Sequence, residues 1–420
     1  MHEDRTEVVV VGAGPTGLWT ALLLAQAGIE VTIVECADRP AARSYACALH
    51  PSTLRLLHRF GLATPAIEQG RSIQKVAFYD GPNRQTEVSL GSVDAEFPFL
   101  LVLPQCDLES ALEHALRASG VNVYWNHRFD SYRADAEDLV VNIEELGGSS
   151  GGYIIPHWET VVKAQRTIRT EFLIGADGAN SLVRSRASLH STHFGCRELF
   201  AVYEFQSDTS GDDEVRIVLA EETTNVLWPL LDRRFRWTFQ LMQSEPNIES
   251  PEKERRAVRQ AHQAVDDRIR AHVKHLAERR APWFSAPIQD VDWCTQVAFD
   301  RRVVDEFGAG KCWLAGDAAH QTGPAGVQSL NASFLEADRF VPLLKSVLHE
   351  GSPAIGLTAL SNEFRNSWLA MLGSNLIESC SENLTPWIRK RAQRILPCLP
   401  GVGSGLSNLA GQLGLTGFQS

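Results

Sequence analysis

The sequence predicts an α/β fold: a Rossmann-like, parallel-sheet nucleotide-binding domain carrying an inserted antiparallel sheet, with helices at its C-terminal side. Three observations predict it. Val8-Val9-Val10-Val11 reads as a strand buried on both faces, and a G-x-G-x-x-G turn and an apolar helical run follow it. Two later stretches, Phe172–Gly178 and Cys312–Asp317, repeat the design of a buried strand ending in a glycine–acid corner. Between them, residues 197–242 switch to alternating, aromatic-rich strands.

The opening unit is the most specific. Gly12 permits a tight turn, Gly14 lets a pyrophosphate approach the backbone, and Gly17 lets helix and strand pack closely. Pro15 and Thr16 begin the helical run, which Gly28 is placed to end. Phosphates meet free N–H groups at such a helix start. Val31–Val34 is the second buried strand. Glu35 follows, 18 residues past Gly17, where an acid can accept a hydrogen bond from an adenosine ribose hydroxyl. The unit therefore predicts a dinucleotide site.

The next loop carries Arg39 and Arg43. Arg43 is within reach of the phosphates, with a solvated loop arginine as the alternative. Pro51–Phe60 predicts a helix with Leu54, Leu57 and Phe60 on one face, and His50 immediately precedes it. Ile73–Tyr79 and Thr86–Leu90 predict strands around a Gly81-Pro82-Asn83 turn, and Gln105 leads into a helix over Leu108–Ser119. Val121–Trp125 predicts a short buried strand. Asp138–Ile143 and Thr160–Ala164 predict a meander around a surface turn at Gly147–Gly152.

Phe172–Arg184 is a strand, a turn at Asp177-Gly178, and a helix start with Ser181 near the cap. Strands at Leu199–Phe205, Val215–Leu219, Val226–Leu231 and Phe235–Met242 predict an antiparallel sheet with one covered face. Its aromatics suit core packing or the wall of a pocket. Glu252–Arg280 predicts a helix with a solvated charged face, and Gln296–Val303 a further strand. Gly316-Asp317 then leads through Pro324–Asn331 into a helix reaching about Leu348. Helices to Trp387 and Ile395 precede a Gly/Ser/Leu-rich stretch, Gly401–Ser420, with only weak potential for membrane attachment.

Composition bounds the function. The 420 residues are 44% hydrophobic, enough for two or three domains with a large core. A net charge of −11 argues against a nucleic-acid partner. No run of 18 apolar residues exists, and the polar amino terminus leads directly into the valine strand, so neither an integral membrane segment nor a signal peptide is expected. Eight cysteines without a C-x-x-C pair suggest reduced thiols in a cytoplasmic protein, and the histidines show no metal-binding spacing.

The three corners, in this order and at these intervals, resemble the single-component FAD-dependent monooxygenases of the aromatic-hydroxylase type, the fold of para-hydroxybenzoate hydroxylase. The resemblance spans about residues 8–345. It implies a discontinuous FAD-binding domain from 1–71, 100–190 and 296–348, a substrate domain from 72–99 and 191–295, and a C-terminal helical segment from 349–420. It also implies Gly12, Gly14, Pro15, Thr16 and Gly17 at the pyrophosphate, Glu35 at the ribose, and Arg43 and Gln105 as flavin contacts. Asp177, Gly178 and Arg184 form the middle motif, associated with FAD and the nicotinamide cofactor. Gly316 and Asp317 lie at the ribityl chain. Pro324, Gly326, Val327, Gln328, Ser329, Leu330 and Asn331 run beside the isoalloxazine ring. Here the chain departs from the family run, because Val327 and Ser329 stand where glycines are usual, and a Cβ at either can alter the ring's position.

The implied chemistry is reduction of FAD by NAD(P)H, reaction with O2 to a flavin hydroperoxide, and hydroxylation of an aromatic or similarly electron-rich small molecule. Tyr203, Arg216 and His50 are candidates for activating that substrate. Two alternatives stay open: a reductase or oxidase of the same fold that inserts no oxygen, and a non-catalytic flavin-binding protein. No second full G-x-G-x-x-G follows a strand, which disfavours enzymes with a separate nicotinamide domain; Gly401–Gly405 follows a proline instead.

Overall fold

The computed structural model describes residues 4–39, 48–151, 157–208, 213–242, 245, 262–373 and 384–415. Two large sheets carry the architecture. The first runs Gly308–Ala309, Cys312–Leu314, His157–Gly175, Asp4–Val11, Val31–Val34, Val123–Tyr124. From Cys312–Leu314 to Val123–Tyr124 neighbouring strands pair in parallel. Val8, Val9 and Val10 are fully buried, because the helix Pro15–Gln26 covers one face and the rest of the core the other. This is the doubly covered parallel sheet that a continuous apolar strand signals.

Several elements differ from the sequence reading. Val121–Trp125 shortens to Val123–Tyr124 on the sheet's edge, and Tyr124 is 49% exposed, because an edge strand has only one neighbour to cover it. The strands expected at Thr160–Ala164 and Phe172–Gly175 are one 19-residue strand, His157–Gly175. Its first part pairs antiparallel with Asp138–Gly151, and its last part pairs parallel with Asp4–Val11. Gly147–Gly151 therefore lie in a ladder rather than in a turn; Gly152, the end of that expected turn, is outside the described residues.

The second sheet has seven strands, ordered Val291–Phe299, Glu198–Gln206, Arg234–Leu241, Thr223–Pro229, Glu214–Ala220, Lys75–Asp80, Asn83–Ser89. It is antiparallel except for one parallel pair, Glu214–Ala220 with Lys75–Asp80. Both its faces are covered, not one. On one face Tyr203, Phe205, Trp237 and Phe239 pack against Ile269, Val273 and Leu276 of the helix His262–Arg280. On the other, Val215, Ile217, Val226 and Trp228 pack against Ile388, Ile395 and Leu409 of the C-terminal helices Pro386–Ile395 and Ser404–Gln412. Apolar residues occupy both parities of these strands, which is what two covers require.

The charged helix keeps its solvated face but buries one cation completely. Arg280 donates to Asn225 Oδ1 at 2.8 Å, to the Gln240 carbonyl at 2.7 Å and to both oxygens of Glu245 at 2.7 Å. Residues 252–261 of the expected helix are not described. The expected strand Gln296–Val303 is broken at Asp300-Arg301. Its first half extends Val291–Phe299 in the seven-stranded sheet, and Arg302–Val304 pairs instead with Ser191–His193 and His320–Gln321. The leucines of the Gly401–Leu415 stretch, Leu406, Leu409, Leu413 and Leu415, are buried on the sheet and unavailable to a membrane. Among the described residues no helix is long and apolar enough to cross one.

Candidate active site

Three strands of the first sheet end level. Val11 pairs with Gly175, and Gly175 with Leu314. Each is followed by its glycine corner, so turns far apart in sequence become neighbours. Backbone bonds join them, from Ala176 N–H to the Val11 carbonyl at 2.7 Å and from Ala315 N–H to the Gly175 carbonyl at 2.9 Å.

The glycines fall into two groups. At Gly12, with φ +105°, a Cβ would lie 2.3 Å from the Ala176 carbonyl oxygen; at Gly17 it would lie 1.9 Å from the Gly12 carbonyl oxygen. These two make the corner possible by close packing. At Gly14 and Gly178 a Cβ would meet nothing within 4 Å. Those two border open space, and that space is a cavity of about 210 Å³. Of the sequence-predicted residues, Gly14, Pro15, Thr16, Gln105, Gly178, Gly316, Asp317, Pro324, Val327, Ser329 and Leu330 line it. The helix Pro15–Gln26 starts at its edge with Gly14 at the N-cap, the end that favours negative charge.

Other predicted residues stand behind the lining. Glu35 accepts hydrogen bonds from Ala13 N–H at 2.8 Å and Ala37 N–H at 2.9 Å, which braces the first corner. The Asp177 carboxylate accepts from Leu182 N–H at 2.7 Å and Val183 N–H at 3.1 Å, so it caps the short helix Leu182–Arg186 and presents Gly178 to the cavity. Arg184 donates to the Ala318 carbonyl at 2.8 Å and the Ala179 carbonyl at 2.9 Å, tying the second corner to the third. Arg43 lies outside the described residues.

Sequence reasoning missed Arg302. Its guanidinium donates to the Ala179 carbonyl at 2.6 Å and the Asp317 carbonyl at 2.9 Å, a second tie between the same corners. The available signal was a cation pair, Arg301-Arg302, set with Asp300 between two short apolar runs, Val297–Phe299 and Val303-Val304. Phe299, Thr322, Gly323 and Ala179 also line the cavity. Asp317 is partly buried at the cavity wall, and desolvation pushes its carboxyl pKa upward against the pull of His320, Gln321 and Arg302.

The segment Pro324–Asn331 closes one side of the cavity and is clamped from two directions. Asn331 donates to the carbonyls of Val327 at 2.8 Å and Ala48 at 3.1 Å, and accepts from His50 N–H and the Thr53 hydroxyl, both at 2.7 Å. Gln328 Nε2 donates to the Leu396 and Leu399 carbonyls, both at 3.1 Å. A Cβ on Gly326 would lie 2.5 Å from the Pro397 carbonyl oxygen. The two departures from glycine are absorbed locally. Ser329 Oγ accepts from Thr322 N–H at 2.8 Å. Val327 takes the left-handed conformation, φ +50° and ψ +37°, that glycine adopts freely, and its side chain is buried in the cluster beneath the second sheet.

For a non-glycine residue that conformation costs roughly 1–2 kcal/mol. Burying a valine contributes about 1.5–3 kcal/mol. Val327→Gly is therefore expected to lose no more than about 2 kcal/mol of stability, read by urea denaturation, since strain relief offsets part of the lost burial. A loss above about 3 kcal/mol would show that Val327 carries no strain.

The three candidates for substrate activation do not meet at the cavity. Tyr203 is buried on the opposite face of the seven-stranded sheet, beneath the helix His262–Arg280, with its ring 6.2 Å from that of His272. Burial drives its phenol pKa far upward. Arg216 shares that face, paired with Glu214 at 2.7 Å and stacked over Trp283 at 5.0 Å. Strand residues of one parity share a face, and both positions have the wrong parity.

His50 is near the site but acts on the loop. Its Nε2 lies 2.8 Å from the Gly326 carbonyl oxygen, to which it donates. Burial pushes its pKa from 6.5 down to about 4, outweighing that hydrogen bond. A histidine depressed on folding contributes stability that is full above the unfolded value and is lost as pH falls through the folded one. Between those limits the loss is on the order of 3 kcal/mol. Urea unfolding of the wild type from neutral pH down to about pH 4 should show it, and His50→Gln should remove that part of the slope.

A cavity whose missing Cβ atoms lie at two separate corners, at a helix N-terminus, fits the diphosphate of a dinucleotide such as FAD. Comparison with known proteins agrees. A family model described as FAD binding domain matches residues 5–368. Para-nitrophenol 4-monooxygenase of Pseudomonas sp. (strain WBC-3) is 27% identical over 403 residues, covering 94% of this chain and 90% of that protein. 6-Methylpretetramide 4-monooxygenase of Streptomyces rimosus is 25% identical over 80% of this chain, which spans 54% of that longer protein. The crystal structure of p-nitrophenol 4-monooxygenase from Pseudomonas putida DLL-E4 matches with a TM-score of 0.72 at 23% identity, covering 94% of each chain. The family match runs through all three corners and both sheets: the chain belongs to the FAD binding domain family, with the fold of the FAD-dependent aromatic hydroxylases.

Proposed function

We propose that the chain is an FAD-dependent monooxygenase that uses NAD(P)H and O2 to hydroxylate an aromatic small molecule. The observation that carries this reading is the convergence of the three glycine corners on one cavity that the loop Pro324–Leu330 and Phe299 of the second sheet also border. When bound, FAD supplies two-electron reduction and oxygen activation. The chain supplies binding, orientation and exclusion of water.

Gly14, Pro15, Thr16 and Gly178 would hold the diphosphate, Gly316 and Asp317 the ribityl chain, and Pro324–Asn331 the ring. Gln105, the first residue of the helix Gln105–Ala118, would contact the flavin from the opposite wall. Glu35 would meet the adenosine ribose at the edge of the first corner. Arg184 and Arg302 hold corner two against corner three through the Ala179, Ala318 and Asp317 carbonyls. Phe299 packs edge-on against Phe200 at 5.7 Å and gives the cavity an aromatic wall on the side of the second sheet. An apolar wall there excludes water and suits a flat substrate.

The reading without oxygen insertion draws its support from Val327 and Ser329. Because Val327 keeps the glycine-like backbone and Ser329 closes on Thr322, the structure does not favour it. The test is to purify the FAD-bound protein, add NADH or NADPH with a panel of phenols, and trace isotopically labelled dioxygen into product. Phenol-stimulated cofactor oxidation with label in the product supports the proposal. Cofactor oxidation that yields only hydrogen peroxide with every phenol would refute it.

A further inference from the structure

The strand Glu198–Gln206 begins beside the loop that closes the cavity. Glu198 has the parity of Phe200, opposite to that of Tyr203, and is the register partner of Phe299 on the neighbouring strand. Its Oε2 lies 3.6 Å from the point a Cβ would occupy on Gly323, and both Gly323 and Phe299 line the cavity. Its Oε1 accepts a hydrogen bond from Gln240 Nε2 at 3.1 Å.

The carboxylate is thus held by one oxygen while the other faces the loop. Among the described residues no cation comes within ion-pairing distance of it, so it is not the half of a salt bridge that a structural carboxylate usually is. The charged and titratable groups that face it are Arg301 after the strand Val291–Phe299, Arg394 on the helix Pro386–Ile395, and the Cys398 thiol beyond it. Burial raises the Glu198 carboxyl pKa, and Arg301, the Gln240 hydrogen bond and Arg394 oppose that rise.

We propose that Glu198 is the proton acceptor for the substrate, taking the proton of a phenolic O–H on an aromatic ring seated between Phe299 and Gly323. The O–H bond breaks, the proton passes to Glu198 Oε2, and the electron pair stays on the phenolate oxygen. The ring becomes more electron-rich at the carbon to be hydroxylated. This inference rests on the monooxygenase reading and deepens it, since it assigns the substrate a weakly acidic hydroxyl.

The test compares the FAD-bound wild type with Glu198→Gln and Glu198→Asp on two probes, phenol and 4-nitrophenol. Without NAD(P)H, phenol binding to the oxidised enzyme is followed by perturbation of the flavin absorbance across pH. The wild type should bind phenol less well on the acid side, with a midpoint above that of an ordinary glutamate, and Glu198→Gln should lose that dependence while keeping its affinity for FAD. With NAD(P)H, Glu198→Gln should hydroxylate phenol about 100-fold more slowly, the usual scale for a general base. The loss should be much smaller for 4-nitrophenol, which ionises more readily in solution. Glu198→Asp should recover part of the phenol rate. An unchanged acid limb in Glu198→Gln, or equal losses on the two probes, overturns the assignment of Glu198 alone. A wild type that hydroxylates no phenol overturns the monooxygenase reading and this inference with it.

Discussion

Gly12→Ala is expected to yield protein that retains no FAD and melts well below the wild type. At φ +105° an L side chain is strained, at a cost of about 1–3 kcal/mol. The added Cβ would also lie 2.3 Å from the Ala176 carbonyl oxygen, a contact with backbone that no rotamer change relieves. Overpacking of this kind costs a further 1–3 kcal/mol or so. The sum, about 2–6 kcal/mol, is a large part of the stability of a typical domain. Gly14→Ala is the control, because its Cβ enters open cavity. It should leave the melting temperature of the FAD-free protein unchanged and weaken FAD binding alone. Thermal unfolding and the flavin absorbance of the purified protein read both effects. If Gly12→Ala keeps its flavin and its melting temperature, the corner is not packed as described.

Arg302→Met should be nearly as damaging, by a different route. The guanidinium holds the Ala179 and Asp317 carbonyls, and the residue is buried. Methionine fills much of the volume but donates nothing. Two charge-assisted bonds are lost, and the Asp317 carbonyl loses its cationic donor, for about 3 kcal/mol in total. Arg302→Lys should recover little, since both bonds leave the terminal Nη2, one bond beyond the reach of a lysine ammonium, which is also more strongly hydrated. Equilibrium denaturation gives the first quantity and FAD titration the second. The FAD affinity should fall with stability, because this arginine joins two walls of the cradle. A variant that loses stability but binds FAD as the wild type does would show that the tie serves the fold only.

The corners were legible in the sequence because their signals are local. Four valines, a glycine spacing and an acid at the right distance each report on a single βαβ unit, and tertiary structure only brings such units together. Arg302 was not legible in the same way. Its importance comes from two carbonyls supplied by other corners, and a buried arginine looks like any other until its partners are placed. The same limit explains Tyr203 and Arg216. Aromatics occupy both parities of these strands, so the pattern identifies a sheet but not which face looks toward the cavity. Glu198 has the useful parity, yet nothing in its immediate neighbourhood marks it before Phe299 and Gly323 are brought alongside. The single covered face was misread because the second cover arrives from residues 386–415, far along the chain.

That distant cover has a consequence for biosynthesis. The carbonyls that Gln328 needs belong to Leu396 and Leu399, 68 and 71 residues further along. At roughly 5–20 residues per second, a ribosome reaches them several seconds after it has made the loop. The glycine corners can assemble early on the nascent chain, while the loop Pro324–Asn331 has its clamp to residues 48–53 but not the Gln328 bonds until those later turns emerge. The wall of the cavity that this loop forms is therefore completed late in the life of each new molecule.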